Sequence, residues 1–449
     1  MAVQSRHPET TALHTGWRRD EFSRAVSVPI FQSSAYEFDN VKHADDVFRL
    51  KVDGNTYSRI MNPTCDIFEQ RVAAMEGGVA ALAVSSGQAA ISLAVLNLAQ
   101  AGDNIVSSTD LYGGTWNLFA NTFRRMNVEV RFADPEDPSA FARATDRNTR
   151  CYFGETLPNP KLKTFPIEEI VRIGQEHHIP VIIDNTLVPL VCRPRDYGAA
   201  VIVHSATKYI GGHGTTLGGV IVDTGQFDWA AAEGRIPLMT LPDSAHDYVV
   251  WPEVCRHLKS SLGRSPYILK ARMTLLRDLG PCLSPMSAFL LLQGLETLSL
   301  RMTAHCENAF AVAKMLAADA RVESVTYPGI ASGLPRERAE KYLTAGYGPL
   351  VQFEVIGGYA AGCRFIESLQ MFYHVANIGD ARSLALHPAS TTHAQLPVQS
   401  RRAAGVNDGT IRLSVGLEHI DDILNDLRQA LDRSSAIRRV QPAELAQAS

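Results

Sequence analysis

The sequence predicts an α/β protein: a large domain built on a mostly parallel sheet with helices on both faces, then a smaller α+β domain. Three observations carry this. Between Thr64 and about Pro281, short apolar runs rich in β-branched residues alternate with stretches of good helix formers. Those runs are bounded by turn residues and show no in–out alternation, as strands buried on both faces do. After Ser284 the pattern changes to long helical stretches with strands spaced far apart.

Residues 1–62 are mixed in character and broken by Pro29 and Gly54, and read as an extended arm suited to dock on a neighbouring subunit. Residues 63–282 hold the strand candidates Ala80–Val84, Asn104–Val106, Val128–Phe132, Cys151–Glu155, Val181–Asp184, Val201–His204 and Gly218–Val222. The first of them passes through Ser85–Ser86–Gly87–Gln88 into helix formers from Ala89 to Leu96. Residues 283–449 open on a helix from Ala288 to Leu298 that continues through Leu316. Strands at Val322–Tyr327, Leu350–Val355 and Thr410–Val415 and helices at Ala360–Leu369 and Ile420–Leu431 follow, with a tail after Ser434 expected to fray.

Bulk properties narrow the function. At 449 residues the chain exceeds one ordinary core, so two domains and an arm are expected. A formal charge of −4, with 43 basic and 47 acidic residues in no long basic stripe, points away from nucleic acid. There is no apolar signal region at the start and no run long enough to span a bilayer, which predicts a cytoplasmic chain. Seven cysteines without a C-x-x-C pair fit reduced thiols, and neither they nor the histidines make a metal site.

Chemistry concentrates in three segments. Val201–Ile202–Val203–His204 runs into Ser205–Ala206–Thr207–Lys208 and then Gly211–Gly212–His213–Gly214. A lysine at the end of a buried strand is costly unless chemistry or a partner justifies it. An imine with pyridoxal phosphate does so, with Ser205 and Thr207 in reach of the phosphate. Upstream, Val181–Ile182–Ile183 ends in Asp184, at the carboxyl end of a strand where open α/β sheets bind ligands. A carboxylate there suits a pyridinium nitrogen. Third, Ser86, Gly87 and Gln88 sit where a helix N-terminus leaves free N–H groups for an anion. Taken singly, each has a plainer reading: a solvated lysine, a turn aspartate, an ordinary strand–helix connection. A nucleotide-binding reading of Gly211–Gly214 lacks the G-x-G-x-x-G turn after the first strand.

Together these segments resemble the Cys/Met-metabolism pyridoxal-phosphate enzymes, the transsulfuration group of the aspartate-aminotransferase-like fold (type I). The resemblance runs through Tyr57–Ser58–Arg59–Ile60–Met61–Asn62–Pro63–Thr64, Ser85–Ala90, Leu111–Tyr112–Gly113–Gly114–Thr115, Glu155–Thr156–Leu157–Pro158–Asn159–Pro160, the Asp184 strand, the Lys208 loop and Ile411–Arg412–Leu413–Ser414–Val415–Gly416–Leu417–Glu418. Leu291–Arg301, Ala376–Leu384 and His387–His393 are most similar to the O-acetylhomoserine sulfhydrylase branch of that family. Methionine γ-lyases usually carry cysteine where Gly114 stands, and cystathionine γ-lyases an acid where Arg382 stands. Ala245–His246–Asp247 and Pro158 depart from the branch's usual pattern.

The resemblance implies the following roles. Lys208 carries the cofactor and moves protons; Asp184 holds the ring nitrogen; Tyr112 stacks on the ring and assists proton transfer. Ser86, Gly87, Gln88, Ser205 and Thr207 bind the phosphate, joined by Tyr57 and Arg59 from a neighbouring subunit. Asn159 meets the ring hydroxyl, and Asn377 and Arg412 bind substrate, the guanidinium taking the α-carboxylate. The implied reaction is γ-substitution on O-acetyl-L-homoserine by sulfide or a small thiol, with no metal; the alternative is a γ-lyase of the methionine or cystathionine type, or a synthase using another homoserine ester or thiol. The implied assembly is a homotetramer of active dimers.

Overall fold

The computed structural model describes Ser5 and residues 7–232, 234–258 and 262–435. By internal contacts these divide into two compact units: those of Met1–Thr156 with Phe165–Ser299, and those of Leu157–Thr164 with Leu300–Ser449.

The first unit carries a seven-stranded sheet of β1 (Ala80–Val84), β2 (Asn104–Ser108), β3 (Glu129–Ala133), β4 (Thr149–Glu155), β5 (Val181–Asp184), β6 (Val201–His204) and β7 (Gly219–Asp223). Their order is β1-β7-β6-β5-β4-β2-β3. All neighbours run parallel except β7, which is antiparallel to both β1 and β6. Runs such as Val201–Ile202–Val203 are buried throughout, because helices cover both faces of the sheet.

Helix Pro63–Glu76 begins on Asn62, whose side chain accepts from the Thr64 N–H, and stops at Gly77 in the left-handed region (φ 72°). Ile167–Glu176 buries Ile167, Ile170, Val171, Ile173 and Gly174, one stripe of a 3.6-residue repeat. Helix Pro285–Glu296 lies against the turn that follows Lys208. A Cβ on Gly294 would stand 2.3 Å from the Gly211 carbonyl oxygen, so only glycine permits this approach.

The second unit has a five-stranded sheet of β8 (Val322–Thr326), β9 (Leu350–Val355), β10 (Tyr373–His374), β11 (Leu384–Leu386) and β12 (Thr410–Ser414), in the order β10-β11-β12-β9-β8. All its pairs are antiparallel except β10 with β11. Its core joins Val351, Phe353, Ile411 and Leu413 to Phe365, Ile423 and Leu427 from helices Gly358–Ser368 and Ile420–Ser435.

All seven strands of the large sheet lie where the apolar runs place them, within a residue or two. Elsewhere the structure differs. The arm is not simply extended: Pro8–His14 and Val41–Phe48 are helical, the second capped by the Asn40 side chain on the His43 N–H. The long helix after Ser284 is two, Pro285–Glu296 and Leu298–Ala317. The first of these belongs to the large unit because it packs on Pro63–Glu76 and the Lys208 turn, so the units part at 299/300. Strands β10 and β11 are too short for a sequence pattern to show. The tail beyond residue 435 lies outside the described residues.

Candidate active site

Asp184 ends β5, and Lys208 follows β6 by four residues, so both stand at the carboxyl edge of the sheet. Asp184 Oδ1 accepts from the Thr186 N–H at 2.9 Å, closing a turn at the strand end. Thr186 Oγ1 in turn accepts from the Ser205 N–H at 2.8 Å and ties the two strand ends together. Burial pushes the Asp184 carboxyl above the ordinary carboxylate range, against the Thr186 hydrogen bonds and the nearby His204, which pull it down. A cationic ring nitrogen facing this carboxylate would offset that burial.

Lys208 is half-buried, its N–H donating to the Ser205 carbonyl at 3.1 Å. Thr207 clasps the base of the same loop: its Oγ1 accepts from the Gly218 N–H at 3.0 Å and lies 3.2 Å from the Gly218 carbonyl.

Across β7 from the Lys208 strand, β1 turns into helix Gly87–Leu96. Ser86 is extended (φ −164°, ψ 164°) and its Oγ accepts from the Ala89 N–H, leaving the N–H groups of Gly87 and Gln88 as the first of the helix. The turn meets the Lys208 segment at Gly87, where a Cβ would stand 2.5 Å from Ser205 Cβ. It meets the start of β7 at Gly219, whose Cβ would lie 2.0 Å from the Ser86 carbonyl oxygen. The result is a cup of helix N–H groups and hydroxyls beside Lys208, suited to a phosphate. Cup, lysine and carboxylate together fit pyridoxal phosphate.

Tyr112 is exposed at the start of the short helix Gly113–Asn117, beside Gln88: the position of a Cβ on Gly114 lies 2.5 Å from Tyr112 Cε1 and 3.1 Å from Gln88 Nε2. Its N–H donates to Glu155 Oε1 at 2.7 Å. Tyr57 and Arg59 are exposed on the arm, the guanidinium 5.1 Å from the centre of the Tyr57 ring.

Beneath the strand ends lies a buried polar net. His204 Nε2 and Glu76 Oε1 are 2.7 Å apart; Asn185 Nδ2 donates to the same Glu76 oxygen at 3.2 Å, and Thr156 Oγ1 donates to Asn185 Oδ1 at 2.9 Å. It anchors the ends of β4, β5 and β6 to helix Pro63–Glu76.

The remaining candidates, Asn159, Asn377 and Arg412, belong to the second unit. Arg412 sits in the middle of β12, and its Nη2 donates to the Asn377 carbonyl at 3.1 Å. Burial, then the charges of Arg412 and Arg401, hold His393 below the ordinary imidazole range. Arg382 grips Asp380 through Nε (2.7 Å) and Nη2 (3.0 Å). Thr186 and Glu155 had no role in the sequence reading. Their signal was adjacency, one two residues after Asp184 and the other ending a buried strand with a carboxylate.

These requirements on a single sheet edge define the type I pyridoxal-phosphate-dependent enzymes. Within that class, residues 9–432 match the Cys/Met metabolism PLP-dependent enzyme family, and the chain belongs to it. It is 47% identical over 427 residues to an O-acetyl-L-homoserine sulfhydrylase of Leptospira meyeri, covering 94% of this chain and 96% of the relative. A homocysteine/cysteine synthase of Saccharomyces cerevisiae is 43% identical over 95% of this chain and 98% of its own. A crystal structure from Campylobacter jejuni, described as that of a candidate O-acetylhomoserine (thiol)-lyase, superposes with a TM-score of 0.90 at 39% identity. It covers 95% of this chain and 100% of its own, and it carries a pyridoxyl-lysine phosphate. Among the described residues, no helix is long and apolar enough to cross a membrane.

Proposed function

We propose that this chain is an O-acetylhomoserine sulfhydrylase: it replaces the acetate of O-acetyl-L-homoserine with sulfide, or a small thiol such as methanethiol, giving L-homocysteine or methionine. One observation carries the reading. Relatives named for this reaction match the chain over 94% of its length at 44–47% identity.

Bound pyridoxal phosphate supplies an electron sink for the substrate α-carbon. The chain's own residues do the rest. The Lys208 amine would act as a shuttle, taking the α-proton and giving it up to the bound cofactor before it takes a β-proton as acetate leaves Cγ; once the thiol has added at Cγ, protons return to the β- and α-carbons. Asp184 keeps a proton on the ring nitrogen, and Tyr112 covers the ring face. Gly87 and Gln88 N–H groups with Ser86, Ser205 and Thr207 hold the phosphate, and Asn159 meets the ring hydroxyl. Arg412 and Asn377 bind the substrate, the guanidinium fork matching its α-carboxylate.

The partition into an arm (1–62), a cofactor-binding domain (63–282) and a C-terminal domain (283–449) belongs to this reading, with helix Pro285–Glu296 counted with the cofactor-binding domain on which it packs. So does a cytoplasmic homotetramer of active dimers. Support for assembly comes from the arm, which exposes Phe22, Val26, Val41 and Phe48 together with Tyr57 and Arg59. Mixing Lys208→Ala and Arg59→Ala subunits should restore activity if Arg59 serves the neighbouring site.

The deciding experiment gives the cofactor-loaded protein O-acetylhomoserine with and without sulfide. Homocysteine formed only with sulfide supports the proposal. Ammonia and 2-oxobutanoate appearing without sulfide would make it a γ-lyase instead.

A further inference from the structure

Glu155 is a buried carboxylate at the end of β4, in register with Asp184 on the adjoining parallel strand. Paired residues on parallel strands project to the same face, so the two carboxylates stand side by side at the site's edge. Asp184 has an evident use there and Glu155 does not. Its Oε1 accepts the Tyr112 N–H at 2.7 Å, across 43 residues of sequence. A carboxylate accepting a main-chain N–H makes a charge-assisted bond, stronger than one between neutral groups.

We propose that Glu155 is the positioning residue of Tyr112, fixing the main chain that carries its ring while side-chain-free Gly114 leaves room for that ring against Gln88. The second half rests on distance. A Cβ at position 114 would lie 2.5 Å from Tyr112 Cε1 and 3.1 Å from Gln88 Nε2, so the ring occupies the space that any other residue there would fill. Helix Gly113–Asn117 runs without a break into the wider turns of Leu118–Phe123, with no capping side chain at Tyr112. The first N–H groups of a helix have no acceptor within it, so the hold on its first turn comes from outside. Glu155 supplies that hold from a strand buried along its whole length. The carboxylate acts through Tyr112 without itself meeting the substrate. This inference rests on the reading that Tyr112 covers the cofactor ring.

The test uses the cofactor-loaded enzyme and reads the visible circular dichroism of the bound cofactor beside kcat and KM. Glu155→Ala should change the visible dichroism and lower kcat about 10- to 100-fold, the range for one charge-assisted hydrogen bond. Glu155→Gln keeps an oxygen acceptor and should restore the dichroism and most of kcat. Gly114→Ala, which leaves Glu155 intact and displaces the ring from the other side, should reproduce the spectral change even if Glu155→Ala folds poorly. In a Tyr112→Ala background, Glu155→Ala should cost nothing further in kcat. An additive loss in that double variant, or unchanged dichroism in both Glu155→Ala and Gly114→Ala, would overturn the inference. If Tyr112→Ala itself leaves the dichroism unchanged, the reading of Tyr112 fails instead.

Discussion

Gly87→Ala tests the phosphate cup without reference to the substrate. The new Cβ would lie 2.5 Å from Ser205 Cβ and 2.9 Å from Ser205 Cα and Oγ. Carbon atoms rest at about 3.5–4.0 Å, so the helix start and the Ser205 segment must part by about 1 Å. Overpacking of this kind costs about 1–3 kcal/mol in a folded chain. The same shift draws the Gly87 and Gln88 N–H groups away from the phosphate. Each charge-assisted hydrogen bond weakened there is worth about 1.5–3 kcal/mol. At 1.4 kcal/mol per factor of ten, the dissociation constant of pyridoxal phosphate should rise roughly 10- to 1,000-fold. Titrating the apo variant with the cofactor, followed by visible absorbance, measures this, and melting of the apo protein separates folding from binding. A dissociation constant within about threefold of the parent's would refute the argument, since no strong phosphate contact could then have moved.

Lys208→Ala should abolish both the visible imine band and turnover. Borohydride reduction of the parent should fix the cofactor's mass on the peptide containing Lys208 and nowhere else, and full activity in the variant would sink the reading. Gly294→Ala places a Cβ 2.3 Å from the Gly211 carbonyl oxygen and 2.5 Å from that of Ile210, both main-chain atoms that no rotamer change can move. Helix Pro285–Glu296 must lift from the Lys208 turn, lowering stability by about 3 kcal/mol or more and shifting the visible band; an unchanged melting temperature would contradict this packing. Burial, aided by Arg301, pushes His305 down to about 4 from its ordinary 6.5, while its hydrogen bond to Val415 and the charge of Asp380 oppose the shift. Between those values the unfolded chain binds a proton that the folded chain does not. Stability is therefore full above pH 6.5 and falls by up to about 3 kcal/mol as pH drops toward 4. Chemical denaturation of His305→Gln at several pH values should show a shallower acid decline, and identical curves would remove His305 as its cause.

The sequence by itself determined the large sheet and singled out Lys208 and Asp184, the residues proposed to hold the cofactor. Strands such as Val181–Asp184 and Val201–His204 are buried on both faces, and that burial demands continuous β-branched runs which any reader of the chain can see. Residues at or just past strand ends, Asp184 and Lys208 above all, inherit their location from those runs. What only the tertiary structure decided depends on atoms brought together from distant segments. Glu155 reaches Tyr112 across 43 residues, and Glu76 reaches His204 across 128. Gly294 looks like an ordinary helix residue until the Gly211 main chain closes on it, and that Gly87 is packed against Ser205 shows only in the fold. The boundary at 299/300 was likewise hidden, because helix Pro285–Glu296 takes its place from its contact with the Lys208 turn and not from its own pattern. A periodic signal records how one segment is buried, whereas a steric seat or a hydrogen bond between segments exists only once the chain has folded.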